Sequence, residues 1–165
     1  DFDFFDQDTA QSFHDREQIS AHLKNGFITG LDGHFGEVQP DGCRHLHVSH
    51  CGHPHLLVLR IETGQAEVIK LPNAMVMGLP GGSAAATVQV PLHSGDRVYT
   101  FTDGIIEASD ATGLEFGLDR IAQSVQASVG LTLQQSLDRL FEQVAQFTGS
   151  SDQQDDISLL AFEVE

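Results

Sequence analysis

The sequence predicts one layered α+β domain. Three features predict it: a block of short apolar or alternating runs separated by turn signals, two consecutive segments with helical spacing, and a last alternating run that returns after them. A chain of 165 residues fits a single core, and 40% hydrophobic residues with eleven Phe and no Trp supply the material to fill it.

Residues 1–25 differ from the rest. Asp1, Asp3, Asp6 and Asp8 interleave with Phe2, Phe4 and Phe5, and a helix over 11–24 sets Phe13, Ile19 and Leu23 only loosely on one face. The expected organisation is therefore an acidic amino-terminal segment, 1–25, and a folded domain, 26–165. Within that domain, residues 27–31, 46–49, 55–61, 66–71, 86–90 and 97–102 read as successive antiparallel strands. Thr63-Gly64 supplies a hairpin turn, and Pro72 and Gly81-Gly82 mark further breaks.

Two helices follow. Leu118, Ile121, Val125 and Val129 recur at intervals of three and four, as do Leu133, Leu137, Leu140, Phe141 and Val144, with Gly130 between the two sets. Thr132 is placed to cap the second helix. A polar stretch over 150–156 then leads into 157–164, whose alternation reads as a last strand. There is no internal repeat and no low-complexity segment.

Charge narrows the functions. Eight Lys+Arg against twenty-four Asp+Glu give a formal net charge of -16, which repels a phosphate backbone or an anionic membrane surface, so neither nucleic acid nor membrane is expected as a partner. No apolar run is long enough to span a bilayer and no signal segment opens the chain, which with only Cys43 and Cys51 as cysteines points to a reducing, cytoplasmic setting.

Two acidic sites occupy similar places. Asp103 follows the apolar run 98–102 and precedes Gly104; Asp155 and Asp156 directly precede the last strand. If those strands are antiparallel neighbours, the carboxylates meet. Neighbouring carboxylates repel unless a proton or cation lies between them, and hard oxygen donors favour Mg²⁺ or Mn²⁺. An ordinary turn at Asp103-Gly104 and an ordinary acidic loop at Asp155-Asp156 satisfy the spacing equally well.

The wording around these positions is more specific. In chain order come Ser49-His50-Cys51-Gly52-His53-Pro54 before an apolar strand, Asn73 to Pro80, the Pro91-Leu92-His93-Ser94-Gly95-Asp96 turn, Thr102-Asp103-Gly104-Ile105-Ile106-Glu107-Ala108, Glu115-Phe116-Gly117 before a helix, and Asp155-Asp156-Ile157-Ser158-Leu159-Leu160. Together, over residues 26–165, they resemble the bacterial SpoIIE-like branch of the metal-dependent PPM protein phosphatases, relatives of the type 2C enzymes. The resemblance implies a layered sandwich of antiparallel β-sheets flanked by helix pairs, with a two-metal Mn²⁺ or Mg²⁺ centre at the sheet edge. It implies metal positions at Asp103, Gly104, Asp155 and Asp156, with Asp103 and Asp155 the catalytic ligands and Gly104 allowing the turn. It further implies hydrolysis of phosphoserine or phosphothreonine on a protein, of the anti-sigma-factor antagonist type, by a metal-activated water, with a sensory or receiver domain upstream.

One family motif has no match. The Gly-Asp-x-x-Gly-His-Gly segment that supplies a further metal-binding aspartate is absent, so the resemblance implies a chain lacking the amino-terminal third of the fold. A catalytically incomplete, phosphatase-like module acting by protein binding is the alternative function. Asp32-Gly33-His34 echoes the motif, but 27–31 matches the strand that follows it in the family, so Asp32-Gly33 is read as a hairpin turn. Glu107 is read as the start of a short helix, and Met75 and Met77 as packing.

The histidines suggest a third reading. Cys43, His45 and His47 share a face by parity, with His50, Cys51, His53 and His55 close behind, and such donors suit Zn²⁺ or Cu²⁺. Cys-x-x-Cys and His-x-x-x-His spacings are both lacking, which favours solvated and turn histidines.

Overall fold

A computed structural model describes residues 4–6, 11–13, 31–35, 40, 42–50, 53–72, 87–149 and 156–165. Among them the chain forms strands β1 (Phe4–Asp6), β2 (Gln11–Phe13), β3 (Leu31–Phe35), β4 (Arg44–His50), β5 (Leu56–Arg60), β6 (Gln65–Ile69), β7 (Thr87–Leu92) and β8 (Arg97–Phe101), helices α1 (Asp103–Glu107), α2 (Gly117–Gln126) and α3 (Leu133–Thr148), and strand β9 (Leu159–Glu163). One sheet has the order β2-β1-β9-β8-β5-β6 and a second the order β3-β4-β7, with antiparallel pairing in both.

Strand parity builds the layers. Leu57 and Leu59 of β5 share a cluster with Tyr99 and Phe101 of β8, packed against Ile121 and Val125 of α2 and Leu137, Leu140 and Val144 of α3. The alternate residues, Leu56, Val58 and Val98, form a second cluster with Leu46, Val48, Val90 and Leu92 of the three-stranded sheet. The larger sheet is thus covered on both faces, which is why β5 is a continuous apolar run rather than an alternating one. Tyr99 lies between sheet and helix, its hydroxyl 3.0 Å from Ser136 Oγ, so its buried polar tip is satisfied.

Local signals end these elements where the sequence places them. Gly64 adopts φ 67° and donates to the Arg60 carbonyl at 2.8 Å, closing the β5–β6 hairpin. Thr132 Oγ1 accepts from the Gln135 amide at 3.2 Å while the Gln135 side chain accepts from the Thr132 amide at 3.0 Å, a reciprocal cap that starts α3.

Several expectations are corrected. Asp32-Gly33 is not a hairpin turn: both residues lie within β3, opposite Ser49 and Val48 of β4, because a long ladder there outweighs the turn preference of the pair. The expected strand over 27–31 meets β3 only at Leu31; residues 27–30 lie outside the described residues. The amino-terminal segment does hold strands, since β1 pairs with β9 and with β2, and Gln11–Phe13 is strand where a helix was expected to begin. Residues 14–24 of that helix, Asn73 to Pro80 with Met75 and Met77, Gly81-Gly82 and Asp155 all lie outside the described residues. Strand β7 runs through Pro91 and Leu92, which shortens the expected turn to His93–Asp96, closed by a 3.0 Å bond from the Asp96 amide to the His93 carbonyl.

Among the described residues no helix is long and apolar enough to cross a membrane.

Candidate active site

Strand β8 is buried along its whole length, and β5 and β9 flank it. The β8–β9 register, Phe101 opposite Leu159, carries the end of one strand to the start of the other, as the two acidic motifs require. Thr102 fixes this junction. Its amide donates to the Ser158 carbonyl at 3.0 Å, its hydroxyl donates to the Asp156 carbonyl at 2.9 Å, and the same oxygen accepts from the Ser158 amide at 2.9 Å. With its side chain so engaged, Thr102 makes no side-chain cap to the helix it precedes.

Asp103 opens α1 and is exposed, while Ile105 two residues on is fully buried. The buried isoleucine anchors the short helix and leaves the carboxylate on its outer side. Gly104 is the second residue of this helix and is buried; its φ is not positive, so the expected turn at Gly104 is a helical start instead. Glu107 correspondingly ends the helix rather than starting one. No Lys or Arg among the described residues pairs with Asp103, although the chain's other ion pairs are well formed. Asp156, whose carbonyl accepts from the Thr102 hydroxyl, is exposed.

His53, which the sequence offers only among the possible Zn²⁺ or Cu²⁺ donors and in the motif before an apolar strand, lies beside this junction. It is 8% exposed, and its Nε2 lies 2.6 Å from Thr100 Oγ1 in β8. Burial, reinforced by nearby His50, lowers its pKa from 6.5 to about 4, against a smaller upward pull from Asp103. The ring is therefore neutral at pH 7, and it lies within electrostatic reach of Asp103. A signal for it existed: the Thr100 hydroxyl, in a strand buried along its whole length, needs a partner. His50 Nε2 in turn donates to the Pro72 carbonyl at 2.6 Å.

The remaining histidines do not gather. His45 and His47 sit half-buried on β4, and among the described residues no group of three or more His, Cys, Asp or Glu is placed to hold a metal. A cleft of about 360 Å³ lined by Arg97, Leu131, Thr132, Glu163 and Glu165 lies at the opposite end of β8 from Asp103.

Among the described residues this junction presents the exposed Asp103 carboxylate beside backbone held by Thr102. Comparison with known proteins agrees with the fold. The family model described as Stage II sporulation protein E (SpoIIE) matches residues 10–165. The SiaA-PP2C domain of Pseudomonas aeruginosa superposes with a TM-score of 0.61 at 22% identity, covering 73% of this chain and 47% of that one. The PP2C phosphatase domain of SpoIIE from Bacillus subtilis, solved with a fragment of its regulatory domain, gives 0.58 at 20% identity, covering 73% and 34%. The catalytic domain of the serine threonine protein phosphatase PstP, in complex with two manganese ions, gives 0.53 at 15% identity, covering 90% and 66%. The chain thus spans less than half the length of the first two structures. No curated protein matches it.

Proposed function

The chain belongs to the Stage II sporulation protein E (SpoIIE) family and has the PP2C-type phosphatase fold, and from that premise we propose that the β8–β9 junction is the metal-holding part of a protein serine/threonine phosphatase site. The observation that carries this is the Thr102 clasp, which ties the residue before Asp103 to the backbone of 156 and 158 by three hydrogen bonds.

On this reading residues 26–165 are the phosphatase domain, and Asp103, Asp155 and Asp156 hold Mn²⁺ or Mg²⁺. Such a cation lowers the pKa of water and offsets charge on a phosphoryl group. The chain's own residues do the rest. Buried Ile105 and the Thr102 clasp hold the backbone on either side of Asp103. Because a bound cation is the dominant local charge, an anionic phosphoprotein can approach a chain of net charge -16 at this point. The substrate proposed is a phosphorylated protein of the anti-sigma-factor antagonist type, in the cytoplasm, with a sensory or receiver domain in the same gene product.

The test is Mn²⁺-dependent hydrolysis of a phosphoserine protein by the full-length gene product, with and without Asp103→Asn. The proposal expects turnover that needs Mn²⁺ and falls to the metal-free background in the variant. Absence of metal-dependent turnover in the full-length product contradicts it. That result would favour the module that binds partners without catalysis.

A further inference from the structure

The cleft at the end of β8 away from Asp103 has no part in the phosphatase reading, and its walls carry both signs of charge. Arg97 opens β8 opposite Glu163 of β9. Its Nε donates to Glu163 Oε2 at 2.6 Å, while its Nη1 is buried and has no acceptor among the described residues. Arg97 as a whole is only 8% exposed. An orphaned donor on a buried charged group costs free energy, which an arriving acceptor recovers.

The same cleft holds further donors. Helix α3 begins in its wall, at Thr132 and Leu133. The Thr132 hydroxyl accepts from the Gln135 amide, and the Leu133 and Gln134 amides ahead of it have no partner within the helix. Such a terminus favours a carboxylate. Opposite in sign, Glu163 and Glu165 also line the cleft, and the Glu163 side chain is 41% exposed. Leu131 and Leu133 add apolar surface.

These groups select a ligand by exclusion. A simple anion drawn to Arg97 meets repulsion from two glutamates, and a simple cation drawn to the glutamates meets a guanidinium and the positive end of a helix. A molecule with a carboxylate and an ammonium a few bonds apart satisfies both, and an apolar side chain on it has two leucines to lie against. The volume of about 360 Å³ is at the small end of the about 300 to 1,000 Å³ that ligand pockets span, so it suits one small molecule.

We propose that this cleft binds a small zwitterion, an α-amino acid with an apolar side chain, its carboxylate on Arg97 and the first turn of α3 and its ammonium on the glutamates. The proposal is independent of the cation site, since none of these residues belongs to the acidic junction.

The experiment titrates the full-length gene product by calorimetry with L-alanine, L-valine, L-leucine, L-isoleucine and L-methionine. The best binder is then compared with its analogues lacking one charge; for L-leucine these are 4-methylpentanoate and 3-methylbutylamine. The expected result is one-to-one binding of the amino acid and a Kd at least about tenfold higher for each analogue. Glu163→Gln, which keeps an acceptor for Arg97 Nε, is expected to weaken the amino acid at least about tenfold and to leave the carboxylate analogue no weaker than in the parent. Arg97→Gln is expected to abolish binding of both. No binding of any of the five amino acids overturns the proposal. So does an analogue that binds as tightly as the amino acid, which marks a plain ion site, and so does an unchanged Kd in Glu163→Gln, which puts the binding elsewhere. Should Arg97→Gln fail to fold, Glu163→Gln decides alone, because its side chain is only partly buried.

Discussion

Asp96 and Asp103 stand at the two ends of the same strand and have opposite surroundings. Asp96, before β8, is 3% exposed and fully engaged: Arg60 Nη1 donates to Oδ2 at 3.0 Å, the His93 amide to Oδ2 at 3.1 Å and the Ile61 amide to Oδ1 at 3.2 Å. Its own carbonyl accepts from the Val164 amide at 2.9 Å, so one residue joins the β5 hairpin, the turn before β8 and the chain after β9. Asp103, after β8, is exposed, and no cation among the described residues offsets it. One aspartate closes the fold. The other is carried by the fold, with rigid backbone on both sides and its charge left open. In a chain of net charge -16 a carboxylate alone carries little information; what separates these two is whether the fold's donors go to the side chain or to the backbone beside it.

The contrast breaks first if the two residues respond alike to substitution. Asp96→Ala leaves the Ile61 and His93 amides without their acceptor while Arg60 keeps Glu67 and the Pro91 carbonyl, and a loss of about 1 to 3 kcal/mol is expected in urea unfolding. Asp103→Asn is expected to leave the midpoint unchanged or raise it slightly, since it removes an unpaired charge. A comparable loss in both would erase the distinction.

Acid gives an effect of similar size. The folded-state pKa of His53 is about 4, below the unfolded value of 6.5, so the unfolded chain takes up the proton first as pH falls. The contribution of His53 to stability is therefore whole above about pH 6.5, declines as pH falls toward 4, and by then amounts to a loss on the order of 3 kcal/mol. Carboxylates titrate near the end of this window, so the comparison is with His53→Gln, whose stability profile between pH 6.5 and 4 is expected to be flatter. Parallel profiles would show that burial does not hold His53 neutral.

Smaller effects sharpen the picture. Thr102→Val keeps the shape and removes two side-chain hydrogen bonds at the acidic junction, for an expected loss of about 1 to 2 kcal/mol accompanied by weaker Mn²⁺ binding. Thr132→Ala, at the far end of β8, removes the α3 cap for about 1 kcal/mol and is expected to leave Mn²⁺ binding untouched. Loss of Mn²⁺ affinity in Thr132→Ala would mean that the whole domain, rather than the junction, sets the site.

Much of this was legible because its causes are local. The β5–β6 hairpin at Thr63-Gly64, the Thr132 cap and the helix spacing of Ile121, Val125, Leu137 and Leu140 all follow from residues within a turn or a period of one another. What escaped depends on partners distant in the chain. Asp32-Gly33 carries a turn signature and became strand because β4 lies beside it. Phe4–Asp6, in the acidic amino-terminal segment, form β1 by pairing with β9. The His53–Thr100 bond joins residues 47 apart, and only the unexplained hydroxyl in a buried strand pointed toward it.

The most direct test asks whether the open charge at the β8–β9 junction is met by a cation. The thermal midpoint of the chain is measured across a Mn²⁺ titration, and again for Asp103→Asn. A cation that binds only the folded chain raises stability by about 2.7 kcal/mol when present at about a hundred times its Kd. The account predicts a rising midpoint for the chain and a flat one for the variant, with equal midpoints in the absence of metal. Equal rises in both proteins would contradict it.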